Sequence, residues 1–239
     1  YVLNTTGFTM ILGQMEQQPL YNAYNFSLPS SNAAWTGGNT VLIGSAFANS
    51  TVTGTLVATF ACPSDKFPEA KDYDVNAFGP YSMQKARRGN YGFMSSRYTE
   101  YDCPQQAGLP ASSDRGMFFT DLATGLQEVN DGLSNTCMVG EIRQEKIDWT
   151  AGYTVQYFGP YWGSGTHTSS HAVVYPPGHA WVTSTTPNAA WWFDGPAINP
   201  RKLPYAWRLS SLHSGGVNVV MGDGSVRFIK DSINIYTWW

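Results

Sequence analysis

His213-Ser-Gly-Gly-Val-Asn-Val-Val-Met-Gly-Asp223-Gly224-Ser-Val-Arg-Phe-Ile229 decides the fold class, because its pattern is that of a β-hairpin. Val217, Val219 and Met221 recur at every second position, and Val226 and Phe228 resume the alternation after the turn. Asp223-Gly224 is expected to supply the positive φ angles of a tight, two-residue turn between the strands. His213 stands just before the first strand, after the loop Ser210-Ser211-Leu212. That position suits a side chain that ties a strand end to a neighbouring loop.

Composition extends this reading to the whole chain. Aromatic residues (15%) outnumber charged ones (13%), and 24 glycines and 14 prolines enforce many turns. Core material is therefore ample, and the balance favours strands and loops over long helices: an α+β, β-rich class with an antiparallel sheet. The 239 residues are read as one domain, 1–239, carrying an aromatic- and Gly-rich, loop-rich insertion at about 145–208. Gly7 to Tyr24 has a helical apolar side (Phe8, Ile11, Leu12, Met15), with Pro19 kinking it or starting a second helix. Thr40–Phe47, Thr51–Phe60, Arg88–Met94, Phe118-Phe119 and Cys137–Ile142 are expected strands, and Leu122–Val129 a helical turn or two. A net charge of −3 and scattered basic residues provide no field for nucleic acid or anionic lipid. No run approaches the roughly 18 apolar residues of a spanning helix.

At four ordered places the chain resembles a large family of prepilin-like secreted bacterial proteins, expanded in planctomycetes and their relatives. Gln14-Met-Glu-Gln-Gln-Pro-Leu-Tyr-Asn-Ala-Tyr-Asn25 is similar to that family's first helix end. Cys62-Pro63-Ser64-Asp65 matches its "CPSD" element, and Asn130-Asp-Gly-Leu-Ser-Asn135-Thr136-Cys-Met-Val-Gly-Glu141 its "DGxSNTxxVGE" element. The His213-x9-Asp223-Gly224 stretch matches its carboxy-terminal signature. Residues 144–209 have no counterpart. The resemblance implies a pilin-like domain, secreted or at the cell surface, partnered by further copies or by other pilin-like subunits. It also implies an amino-terminal helix upstream of Tyr1, through which alone membrane contact would be made.

Three cysteines leave an odd count, open to three single-bridge pairings in an oxidising compartment. Cys62 and Cys103 both precede proline in loop-like contexts, so their pairing is the favoured one, with Cys137 a small buried hydrophobe. No Cys-x-x-Cys pair supports a zinc ribbon.

The remaining constellations are weighed against plainer roles. Asp72-x-Asp74-x-Asn76 has the opening spacing of a calcium loop, but Ala77 and Met83 stand where its glycine and bidentate glutamate belong, which favours a solvated acidic loop. His167, His171 and His179 lack helix context and a completing thiolate or carboxylate, so neither a metal nor another cofactor is expected. His213 and Asp223 with neighbouring serines suggest a hydrolase only superficially, since Gly-x-Ser-x-Gly is absent. They are expected to act as hydrogen-bonding locks, and Glu141 as a buried acceptor for loop amides. Trp191-Trp192 and the terminal Tyr236, Trp238 and Trp239 are interface candidates. The resulting expectation is a non-enzymatic assembly subunit. The alternatives are a module binding glycans or surface ligands through its aromatics and, behind it, a hydrolase.

Overall fold

The computed structural model describes residues 3–36, 39–65, 71–73, 83–95, 116–119, 124–146, 160–165, 170–175, 177, 186–189, 203–204 and 207–239. Among them run the strands β1 (Asn32–Thr36), β2 (Asn39–Gly44), β3 (Lys71–Tyr73), β4 (Met83–Ala86), β5 (Tyr91–Met94), β6 (Cys137–Glu141), β7 (His171–Ala172), β8 (Gly216–Met221) and β9 (Val226–Lys230). β1–β2 and β3–β4 form two-stranded sheets, while the main sheet has the order β7-β5-β6-β8-β9. Its pairings are antiparallel except β5 with β7, which is parallel, so the sheet is mixed rather than purely antiparallel. The class is α+β and β-rich.

The β8–β9 hairpin forms as its alternation requires, with Val217 opposite Ile229 and Val219 opposite Arg227. Its turn is one residue longer than expected. Gly224 N donates to Met221 O (2.9 Å) and Met221 N to Ser225 O (2.8 Å), so the loop is Gly222-Asp223-Gly224. Of the three, only Gly224 has positive φ (+83°), the arrangement of a three-residue loop closed by a left-handed glycine. Asp223 contributes its side chain instead, accepting from Ser225 N (2.9 Å) and Ser225 Oγ (2.7 Å).

Period-two alternation divides the main sheet into two faces. One face carries Met94, Ala172, Val217, Val219 and Met221 into a core completed by Ile142, Val174 and Leu209, with Cys137, Ile229 and Trp238 at its margin. A Cβ on Gly140 would stand 2.4 Å from Leu209 Cδ2, so glycine is what allows Leu209 to lie flat on β6. The other face carries Tyr91 and Phe93 against a second core of Phe8, Leu12, Tyr24, Val52, Val57, Phe60 and Trp162. Phe8 stacks on Phe93 at 4.4 Å between centroids and meets Phe60 edge-on at 5.1 Å.

Helix is scarcer than the amino-terminal pattern suggests. α1 (Gly7–Met10), capped by Thr6, gives way to turns, and Glu16 takes a φ of +58° before α2 (Gln18–Ala23) begins with Pro19 in its first turn. The break therefore precedes Pro19, which starts the second helix. The expected strand Thr51–Phe60 does not form. Ser50–Thr53 is a helical turn (α3) and Ala58–Phe60 a 3-10 turn. Val52, Val57 and Phe60 must all face Trp162, and a strand would send Val57 and Phe60 to opposite sides. Packing overrides β propensity here. Leu126–Glu128 is a single 3-10 turn.

Several described pieces of 145–208 pack into the core. Tyr161 and Trp162 are buried, Arg88 lies over the Tyr161 ring, Trp162 Nε1 donates to Thr55 O, and β7 extends the main sheet.

Gly224→Val should cost about 1–3 kcal/mol of stability, since a β-branched residue resists this φ although no atom crowds the position. Gly224→Asn should cost much less. Thermal melts of both variants check the difference.

Candidate functional site

Three segments far apart in sequence meet at the end of β6. Glu141 is the last residue of that strand, opposite Tyr91 of β5, and is 5% exposed. A carboxylate buried in a sheet needs donors, and β8 supplies them. Asn218 N donates to Glu141 Oε2 at 2.7 Å, and Asn218 Nδ2 lies 3.2 and 3.3 Å from the two oxygens.

His213 reaches the same carboxylate from the loop before β8, with Nε2 3.1 Å from Glu141 Oε1. Its loop is tightly bonded. Ser211 Oγ accepts from His213 N (3.0 Å) and donates to Gly216 O (2.6 Å), Asn188 Oδ1 accepts from Ser211 N (2.8 Å), and Ser210 N donates to Glu141 O (2.8 Å).

Cys62 enters from the 3-10 turn on the opposite side. Its Sγ lies 3.7 Å from His213 Nε2 and 3.9 Å from Glu141 Oε1. Asn90 fixes it there. Asn90 Oδ1 accepts from Cys62 N (2.8 Å) and Gln144 Nε2 (2.8 Å), while Asn90 Nδ2 donates to Asp65 Oδ2 (2.7 Å) and Ile142 O (3.2 Å). Asp65 Oδ2 also accepts from Gln144 N at 2.8 Å, and Asp65 N donates to Cys62 O at 3.0 Å.

The site is electrostatically tense. Burial raises the Tyr91 phenol above its ordinary range, and the neighbouring Cys62 and Glu141 push it the same way. Behind the site, Lys146 is fully buried, donating to Arg208 O and Ser210 Oγ, both at 3.0 Å. Burial chiefly, and then Arg143 and Arg208, hold its ammonium well below the usual lysine range, with Asp65 acting against them. The ring atom that approaches both thiol and carboxylate is the same one, His213 Nε2. In a nucleophile–base–carboxylate relay the imidazole stands between its partners and uses both nitrogens, so this arrangement is a convergence of three groups on one point.

The sequence-predicted residues fall into two groups at opposite ends of β8. Cys62, Asp65, Glu141 and His213 gather at its start, with Pro63 and Ser64 exposed beside them. At its far end, Gly222 N donates to Thr136 O (2.9 Å), Asp223 N to Leu133 O (3.2 Å), and Asn135 Nδ2 to Asp131 O (3.0 Å), docking the Asn130–Thr136 loop on the hairpin turn. Six strand residues at about 3.3 Å each put roughly 20 Å between the groups. His213 and Asp223 thus serve two separate bonding systems, the one at Glu141 and the other within the hairpin turn. Trp238 packs at the margin of one core, whereas Tyr236 (76%) and Trp239 (45%) are exposed. Cys103, Asp74, Asn76, His167, His179, Trp191 and Trp192 lie outside the described residues. Asp72 falls on β3, and His171 on β7 with its ring 6.4 Å from that of Trp207. The Cys62 thiol is free in the structure. Asn90, Gln144, Lys146, Ser210 and Asn218 were not singled out in the sequence. The one available signal was Asn218, a polar residue inside an apolar alternation.

The chain belongs to the family described as "Protein of unknown function (DUF1559)", whose model matches residues 3–235. No curated protein and no solved structure matches it.

Asn90→Ala would leave the buried Cys62 amide and Gln144 Nε2 without their acceptor and take one of two donors from Asp65 Oδ2, so it should cost about 3 kcal/mol by denaturant titration. Burial pushes the Cys137 thiol up to about 12. The folded state holds this proton more tightly than the unfolded one. The resulting stability is complete below about pH 9 and is lost as pH rises through about 12. At pH 8, Cys137 should accept an alkylating reagent only after unfolding, as peptide mass mapping would show.

Proposed function

We propose that this chain is a non-enzymatic, pilin-like structural subunit, acting outside the cytoplasm and packing against further copies of itself. The observation that carries the reading is the outer edge of the main sheet. Among the described residues β9 has a strand partner on one side only, and Val226 (66%) and Phe228 (47%) are exposed on it. Tyr236 and Trp239 add exposed aromatic surface a few residues further along the chain. Apolar side chains beside an unpaired strand edge match what a second subunit covers when it adds to a sheet.

The edge also carries Arg227 and Lys230, both exposed. Edge charges of this kind limit indiscriminate pairing, so the reading is one of specific assembly rather than aggregation. The pilin-like and secreted character is supported by the four ordered sequence blocks. Two of them, around Cys62 and Glu141, are pinned by the buried Asn90 network. A hydrolytic role finds no support in an imidazole whose one nitrogen faces both partners.

Sedimentation velocity over a wide concentration range tests the proposal. Wild type should associate, and Val226→Glu with Phe228→Glu should weaken association at least tenfold without lowering the melting temperature. Removing the last four residues should weaken it further. A monomer at every concentration, indistinguishable from the variant, would sink the reading; retention on immobilised glycans by that monomer would favour a ligand-binding module.

A further inference from the structure

We propose that Cys62, Glu141 and His213 form a three-ligand site for a zinc-class divalent cation. The inference goes beyond the assembly role and does not depend on it. One thiol sulfur, one carboxylate oxygen and one imidazole nitrogen lie within 4.8 Å of one another. Bonds of ~2.3 Å to sulfur and ~2.0–2.1 Å to nitrogen and oxygen at tetrahedral angles place such ligands ~3.6 Å (S–N), ~3.5 Å (S–O) and ~3.3 Å (N–O) apart. The site has 3.7, 3.9 and 3.1 Å. The set is therefore built to within a few tenths of an ångström before any ion arrives.

Hydrogen bonding alone accounts for part of this geometry. It explains the imidazole–carboxylate contact but gives the thiol little, since sulfur is a weak donor and its two contacts are long. A cation at the shared point engages all three groups. The charge balance agrees. A thiolate and a carboxylate together neutralise a doubly positive ion, and the neutral imidazole adds no charge to the set. Outer contacts orient the set as metal sites require: Asn218 holds Glu141 Oε2, Asn90 anchors the Cys62 backbone, and Ser211 fixes the His213 loop. The His213 side chain is 30% exposed against 6% for Glu141, so solvent, and an ion with it, reaches the set on the His213 side. Binding converts the Cys62 thiol to a metal-bound thiolate, its proton passing to solvent, while His213 binds through Nε2 as the neutral ring with its proton on Nδ1.

The test titrates Co2+ into the full chain, reduced and stripped with a chelator. One equivalent should bind with a thiolate-to-cobalt charge-transfer band and release of the thiol proton, and Zn2+ should displace it and abolish the band. Cys62→Ser, which is nearly isosteric, should remove the band while leaving the far-ultraviolet dichroism unchanged; Cys103→Ser and Cys137→Ser should keep it. Asn218→Ala should raise the cobalt Kd by about 10- to 100-fold, and His213→Ala by more. The proposal is overturned by wild type that shows no band, by a band that survives Cys62→Ser, or by a chain isolated without reductant in which Cys62 is bridged to another cysteine.

Discussion

A single buried amide holds the molecule's chemistry in place. Asn90 is 2% exposed, and its side chain makes four hydrogen bonds, two accepted and two donated. Its backbone adds two more, donating to Phe60 O and accepting from Ile142 N, each at 2.7 Å. An amide so saturated in a dry site leaves its partners no cheap alternative, because each would otherwise be buried unpaired. Through it the loop bearing Cys62 and Asp65 is tied to the start of β5 and to the residues just beyond β6. Without that tie, nothing would oblige Cys62 to face Glu141.

Glu141 has the complementary problem. A carboxylate in the middle strand of a five-stranded sheet must be solvated by protein, and Asn218 and His213 do this from the next strand and the loop before it. The same economy applies to Lys146, whose ammonium is displaced toward neutrality by burial and rests on Arg208 O and Ser210 Oγ. Polar groups this deep stabilise little in net terms, but they discriminate strongly against every arrangement that leaves them unpaired. Here they fix the mutual placement of three chain segments, which apolar packing alone would leave free to slide.

How much of this was legible in the chain depends on the range of the interaction. The hairpin was readable because alternation and a turn glycine are local signals, and even its error, a two-residue turn read for a three-residue one, came from the fine choice between neighbouring turn types. The segment Thr51–Phe60 was misread because Val and Thr favour strands in general, whereas here Val52, Val57 and Phe60 answer to Trp162, over a hundred residues away. Tyr161 and Trp162 lie in the core, through contacts with residues far away in the chain that no local pattern announces. The candidate site was half visible: its three side chains sat in recognisable blocks, but 79 residues separate Cys62 from Glu141 and 72 separate Glu141 from His213. No local pattern states that these blocks converge.

Native-state hydrogen exchange reads out whether three segments are locked together at Asn90 and Glu141. The amides of Cys62, Gln144 and Asn218 donate to side-chain acceptors, Asn90 Oδ1, Asp65 Oδ2 and Glu141 Oε2. If those side chains lock the segments together, the three amides should be protected to the same degree as the amides of β6 and β8 and should exchange only in the global opening. Fast, independent exchange at Cys62 and Gln144 beside a protected β6 would contradict the account.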